Sequence, residues 1–400
     1  MPLSLADIRT ELEPSASTPG PIGLDEYQRF AQRTDKTGDN PALSTSLVLL
    51  GLFGEVGSLL SEMKKKQKDQ NTFRSYADSA HEEMGDVLWY FSAAVTKAGM
   101  TLSEIAAGSP KGPSAPRTFV DLQAQTQLFE EPVVGPQAEQ RLLTLAVCTG
   151  QAINRWSPAG LDQDAEGFRQ DLVRVFDALV EAADDAGISL DVAAVRNIDK
   201  ILDRHPVQEN WGERFDADDD EDERLPDLIE MRFKEKRTEK GTRFVIQQWN
   251  GVNIGDRLTD NSSSEDYYRY HDVFHLSYAA ILGWSPVLRA LLRLKRKSKP
   301  VVDEHEDGAR AVITEEGISN WIFSHGVRRQ AFLGANSLDF ALLQTIRAMV
   351  KGYEVESRPL WMWERAILEG FRVFRALRDN RGGIIVADLK AHTLTYRKDS

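Results

Sequence analysis

Two short runs place carboxylates on helices that are otherwise apolar: Gly54-Glu55-Val56-Gly57-Ser58-Leu59-Leu60-Ser61-Glu62 and Glu82-Glu83-Met84-Gly85-Asp86-Val87-Leu88-Trp89-Tyr90. Around them Leu49, Leu52, Phe53, Val56, Leu59 and Leu60, then Met84, Val87, Leu88 and Phe91, recur every three to four positions, the period of a helix with one buried face. Glu55 and Glu62, seven apart, share a face, and Glu83 and Asp86 share another at i, i+3. Two facing helices that push acids toward each other repel unless a cation lies between them. Mg²⁺ takes oxygen ligands, usually one or two carboxylates with phosphates and waters completing the shell. The pattern therefore predicts a helical bundle built round a metal-dependent phosphate site.

The rest of the composition fits that expectation without requiring it. Four hundred residues suggest two or three domains. One cysteine, Cys148, excludes an intrachain disulfide framework and suits a cytoplasmic location. No run reads as a membrane span or a signal peptide, so no membrane partner is expected. A net charge of −13 argues against a nucleic-acid partner. Seven of those charges fall in one run, Asp216, Asp218, Asp219, Asp220, Glu221, Asp222 and Glu223, which reads as a solvated linker.

Punctuation residues divide the chain. Residues 1–23, with Pro14, Pro19, Gly20, Pro21 and Gly23, read as a flexible lead-in. Residues 24–107 are helical in pattern, 108–138 form a Pro/Gly-rich surface connection, and 139–206 are helical again. The acidic linker takes 207–226. In 227–400, alternating segments flank Lys240-Gly241, and Ile384-Ile385-Val386 faces Thr393-Leu394-Thr395-Tyr396, so small hairpins are expected in a mostly helical domain.

Residues 24–107 resemble the MazG family of nucleoside triphosphate pyrophosphohydrolases, within the all-α pyrophosphatase superfamily. The resemblance rests on Leu24-Asp25-Glu26-Tyr27-Gln28, Leu50-Gly51-Leu52-Phe53-Gly54-Glu55-Val56-Gly57 and the Glu82–Tyr90 run. The family pattern is ExxE on one helix and ExxD on the next, binding Mg²⁺, with Mn²⁺ as a substitute. Glu83 and Asp86 fill the second motif, whereas Ser58 replaces the second glutamate of the first. Either Glu62, further along the same face, takes its place, or the site holds one metal instead of two. The implied metal ligands are Glu55, Glu62, Glu83 and Asp86, and the implied proton acceptor is Glu55, Glu82 or Glu83.

A second unit resembles the first. Gly99-Met100-Thr101-Leu102 has its counterpart in Gly187-Ile188-Ser189-Leu190, which aligns Glu83 with Asp171 and Asp86 with Arg174. Through Gly57 and Gly150, Glu55 falls on Cys148, Ser58 on Gln151 and Glu62 on Arg155. The fold expected is thus mainly α, with tandem MazG-like helical-bundle units, the second degenerate, and an α+β carboxy-terminal domain. Asn197, Lys200 and Arg204 resemble the asparagine-lysine-arginine tail of many MazG domains. With Arg155 and Arg174 they are implied as substrate-binding residues for a nucleoside triphosphate, unless those arginines lie on solvated faces. Family members are dimers or higher oligomers, so a homo-oligomer is implied. The reaction implied is release of pyrophosphate from a (deoxy)nucleoside triphosphate, leaving the monophosphate. The competing reading is a nucleotide-sensing module that controls the carboxy-terminal domain.

That domain has its own constellation. His271 and His275 stand at i, i+4, a workable ligand spacing on a helix, with Asp272 between them and Glu306 and Glu316 downstream. These residues read either as a second metal-dependent site or as buried core histidines. The region resembles an uncharacterised domain that follows MazG units in some bacterial proteins. Arg289, Arg293, Lys295, Arg296, Lys297 and Lys299 form a basic stretch, read as a solvated helix end or a phosphate contact.

Overall fold

The computed structural model describes residues 21–35, 38, 41–69, 76–110, 115–123, 134–155 and 165–399. They divide into two compact units at His205/Pro206. The flexible lead-in expected over 1–23 lies outside the described residues except for its last three. There Ile22 is buried, its N–H donating to Asp191 Oδ1 (2.9 Å), and Gly23 forms a β-bridge with Thr118.

The amino-terminal unit is all helical among the described residues: α1 (Leu24–Thr34), α2 (Pro41–Lys68), α3 (Tyr76–Lys97), α4 (Leu102–Ala107), α5 (Phe119–Leu122), α6 (Pro136–Arg155), α7 (Ala165–Ala186) and α8 (Leu190–Arg204). Helix α2 packs on α3, α6 on α7, α2 on α6, and α8 on α3. The apolar spacing explains this. Val48, Leu49, Leu52, Val56, Leu59 and Met63 form one buried stripe on α2, and Met84, Val87, Leu88 and Phe91 one on α3. Each such side chain, fully buried, contributes about 1.5–3 kcal/mol. The stretch Leu43–Lys68 is long and apolar enough to span a membrane by length and composition, contrary to the sequence expectation. Its stripe faces the bundle core.

Both helix pairs end alike. Gly99 and Gly187 adopt φ of +69° and +67°, the left-handed conformation that stops a helix, and Thr101 and Ser189 then cap the next one. Part of the expected surface connection is core instead. Phe119 and Leu122 are buried, and the Phe119 ring meets Tyr27 edge-on at 5.4 Å.

The carboxy-terminal unit has an antiparallel sheet in the order β3-β2-β1-β4-β5: β1 (Leu228–Arg237), β2 (Arg243–Trp249), β3 (Val252–Leu258), β4 (Gly382–Asp388) and β5 (Thr393–Arg397). The two expected hairpins are present, and β1–β4 pairing joins them into one sheet. Its helices are α9 (Val273–Leu282), α10 (Pro286–Leu292), α11 (Pro300–His305), α12 (Ala309–Val327), α13 (Phe340–Met349) and α14 (Leu360–Asn380). Every residue of α9 is buried, as befits a helix apolar on all sides at the centre of a unit.

The acidic run departs from its expected role as a solvated linker. Asp216 and Asp219 are 1% and 3% exposed. Asp216 accepts from Arg289 (2.8 Å) and the N–H of Leu225 (2.8 Å), and Asp219 pairs with Lys299 (2.5 Å). The basic stretch is correspondingly inside: Arg289 and Arg296 are each 1% exposed, and Arg296 forks onto Asp307 and Glu354. Charges that each read as solvated from the sequence compensate one another in the interior, the condition for burying them.

Candidate metal centres

Helices α2 and α3 bring Glu55, Glu83 and Asp86 together, with one carboxylate oxygen of each lying within 4.8 Å of the others. The cost of this crowding is visible in the acids themselves. Burial, then the charges of Asp86 and Glu55, push Glu83 up from 4.5 to about 8. Burial and Asp86 also raise Glu55, which shares a hydrogen bond with Glu83. Burial raises Asp86 despite Lys200.

Helix α8 completes the surroundings. Asn197 Nδ2 donates to Asp86 Oδ1 (2.9 Å), while Lys200 Nζ contacts Asp86 Oδ2 (2.6 Å) and Glu82 Oε1 (2.9 Å). The Tyr27 hydroxyl donates to Asn197 Oδ1 (2.9 Å), which fixes the amide so that its NH₂ faces Asp86. Gly85 permits the approach. A Cβ there would lie 2.7 Å from the Ala193 carbonyl oxygen and 2.9 Å from Asn197 Cβ. Tyr27 and Gly85 were not singled out as site residues, although a glycine beside a motif acid on an apolar helix signals close packing.

The other expected residues are placed differently. Glu62 is outside the three-carboxylate group and pairs with Lys65 (2.5 Å). Arg155 and Arg174, expected on phosphates, hold Asp171 at 2.6 Å and 2.8 Å. Asp171 is 2% exposed and requires that compensation. Arg204 lies one turn beyond Lys200, with its Nε buried. The Trp89 indole donates to Thr34, and the Tyr90 ring occupies the space over Gly51, so both aromatics are packing elements of the bundle.

In the carboxy-terminal unit His271, His275 and Glu316 form a second group within 4.8 Å. Each imidazole Nε2 is 3.6 Å from a different oxygen of Glu316. His275 Nδ1 bonds Glu315 (2.7 Å), and His271 Nδ1 bonds the Tyr268 carbonyl (2.9 Å). Burial opposes charge on His275, but Glu315 and then Glu316 outweigh it and hold the ring well above its ordinary value. Asp272 lies beside the group, its Oδ1 3.1 Å from His271 Nε2 and its other oxygen held by Gln247. Glu306 is elsewhere, bound to His305 and the N–H of Glu354. Glu315, the neighbour of Glu316, is the fully buried member of the acid pair. A cavity of about 630 Å³ near Arg237, Arg243 and Arg269 shares no lining residue with either group.

Residues 210–400 match the family model of the MazG C-terminal domain. The match supports a MazG-related membership, points to a nucleotide-related function and is compatible with a nucleotide hydrolase. No curated protein and no solved structure matches the chain.

Proposed function

We propose that the chain is a divalent-metal-dependent nucleoside triphosphate pyrophosphohydrolase. The observation that carries the reading is the Glu55–Glu83–Asp86 group with Asn197 and Lys200 on Asp86. The donor set fits the cation: three carboxylates offer only hard oxygen ligands, as Mg²⁺ or Mn²⁺ requires, and their mutual repulsion favours a positive ion among them. Bound there, the cation supplies neutralising charge for the phosphates and the leaving pyrophosphate.

The chain's own residues do the rest. Tyr27 and Asn197 hold the Asp86 carboxylate in one orientation. Lys200, which pairs with Asp86 and Glu82, is the cation offered to the triphosphate, whose transition state is stabilised by positioned positive charge. Water attacks the α-phosphorus, an O–P bond forms, the α–β bridging bond breaks, and pyrophosphate departs with its electron pair. Glu55, Glu82 or Glu83 accepts the water's proton.

Self-association belongs to the same reading. Leu43, Leu47, Leu50 and Phe53 on α2 and Leu143 and Val147 on α6 are large apolar side chains exposed on the bundle, which supports a homo-oligomer. Sedimentation of the full chain measures this, and a monomer at all concentrations contradicts it.

The function is tested by incubating the full chain with a panel of (deoxy)nucleoside triphosphates and Mg²⁺ and measuring pyrophosphate. Release is expected, with a loss on the order of 10²–10³-fold in Asp86→Asn, the scale of removing one group that organises transition-state charge. Nucleotide binding without turnover would reject the hydrolase and favour the sensing module.

A further inference from the structure

We infer that the carboxy-terminal unit holds a second and chemically different metal centre: one divalent ion of the zinc class, bound by His271 Nε2, His275 Nε2 and Glu316, with a coordination position left for an exchangeable ligand. Hydrogen bonding at the far side of each ring fixes which nitrogen faces the centre. Glu315 accepts from the Ser285 hydroxyl (2.7 Å) and the Val287 N–H (2.8 Å) as well as facing His275 Nδ1 (2.7 Å). A carboxylate used in this way has no proton to give, so His275 Nδ1 carries the hydrogen. The Tyr268 carbonyl, 2.9 Å from His271 Nδ1, can only accept, so that nitrogen also carries one. In neutral imidazoles both lone pairs are then on Nε2, and both Nε2 atoms converge on Glu316.

Without a metal a proton has to take the ion's place, as the raised His275 indicates; with both rings neutral this convergence is unfavourable. Lone pairs would face carboxylate oxygens, including Asp272 Oδ1 at 3.1 Å from His271. His275 is 0% exposed, and its Nε2 is buried without a hydrogen-bond partner. The 3.6 Å separations from Glu316 are too long for hydrogen bonds. They suit two ligands of one ion: metal–ligand bonds of about 2.1 Å in a tetrahedral arrangement put neighbouring ligand atoms about 3.4 Å apart.

The surroundings also have the form of a metal site. Histidine ligands characteristically donate their second N–H to a carboxylate or backbone carbonyl, which orients the ring and strengthens the ligand nitrogen. Glu315 and Tyr268 occupy those two places. Two imidazoles with one carboxylate select a borderline-soft ion over Mg²⁺. The two centres therefore differ in metal class. His275 is on the buried central helix α9, and Glu315 and Glu316 are neighbours on α12.

The test uses the full chain, stripped with a chelator and then titrated with Zn²⁺ in excess Mg²⁺. Bound zinc is counted by elemental analysis, and the visible absorption of the Co²⁺-loaded protein reports coordination. Wild type and Asp86→Asn are expected to hold one zinc, with a Co²⁺ spectrum of low coordination number. Glu316→Gln is expected to weaken zinc binding by about 10–100-fold or more and to remove that spectrum. His275→Ala strands the buried Glu315 and is open to misfolding. Glu316, whose side chain is 41% exposed, is therefore the deciding position, with circular dichroism as its folding control. The inference is overturned if wild type takes up no stoichiometric zinc, if folded Glu316→Gln binds it as tightly as wild type, or if Asp86→Asn abolishes it.

Discussion

The helix pairs α2/α3 and α6/α7 close with the same glycine turn and the same type of cap, yet they treat buried charge in opposite ways. In α2/α3, three carboxylates crowd together, and one of them is held up to about 8. At the aligned place in α6/α7, one buried aspartate sits between two arginines. The second pair has its counter-charges built in. The first leaves part of its negative charge for a ligand to neutralise, with Lys200 from α8 as partial compensation. A site for an exchangeable cation is a place where a protein withholds fixed compensation, and the contrast distinguishes the pair proposed to hold a cation from the pair that neutralises its own charge.

The largest stability effect should come from breaking the compensated pair. Replacing Arg155 and Arg174 together by Ala leaves Asp171 buried and unpaired, and should cost about 3–5 kcal/mol in denaturant unfolding. A negligible change would mean that Asp171 is hydrated, and the contrast would fail.

Next is Gly85→Ala. The new Cβ meets the Ala193 carbonyl and Asn197, so α8 must withdraw, at a cost of about 1–3 kcal/mol. Turnover should fall more than stability, because Asn197 and Lys200 move away from Asp86. Unchanged turnover would show that α8 does not complete the site.

The smallest effect is the most specific. Glu83 is raised from 4.5 to about 8, so between those values the folded chain keeps a proton that the unfolded chain has released. Metal-free stability should therefore fall as pH rises through that window. Glu83→Gln should flatten the decline, gaining under about 1 kcal/mol near pH 8 because the group is partly solvated. Opposite signs for this variant and the arginine pair would sharpen the comparison. A metal-free profile with the same slope in both proteins would contradict it.

Much of this was legible in the sequence. Helical periodicity located Glu55, Glu83 and Asp86 on facing surfaces, and the Asn197/Lys200 tail pointed to α8. Alternation around Lys240-Gly241 gave the first hairpin. What escaped was pairing at long range. Asp216 meets Arg289 across 73 residues and Asp219 meets Lys299 across 80, and neither run reveals its partner, so both read as solvated. The same limit applies to Arg155 and Arg174, whose charge suits a phosphate as well as it suits Asp171, the partner the fold gives them. Hydrogen-bond orientation was also hidden: the sequence offered His271, His275 and the adjacent Glu315 and Glu316, whereas the contacts of Glu315, Ser285 and the Tyr268 carbonyl that orient the rings exist only once α9, α10 and α12 are packed.

The proposed role of the crowded carboxylates of α2/α3 is to hold a divalent cation. It is tested most directly by titrating the full chain with Mn²⁺ and counting the bound ion by electron paramagnetic resonance, in a Glu316→Gln background that removes the histidine centre. With Asp86 intact, saturable binding displaced by Mg²⁺ is expected, and Asp86→Asn should weaken it by at least about tenfold. Equal Mn²⁺ binding with and without the Asp86 carboxylate would contradict the account.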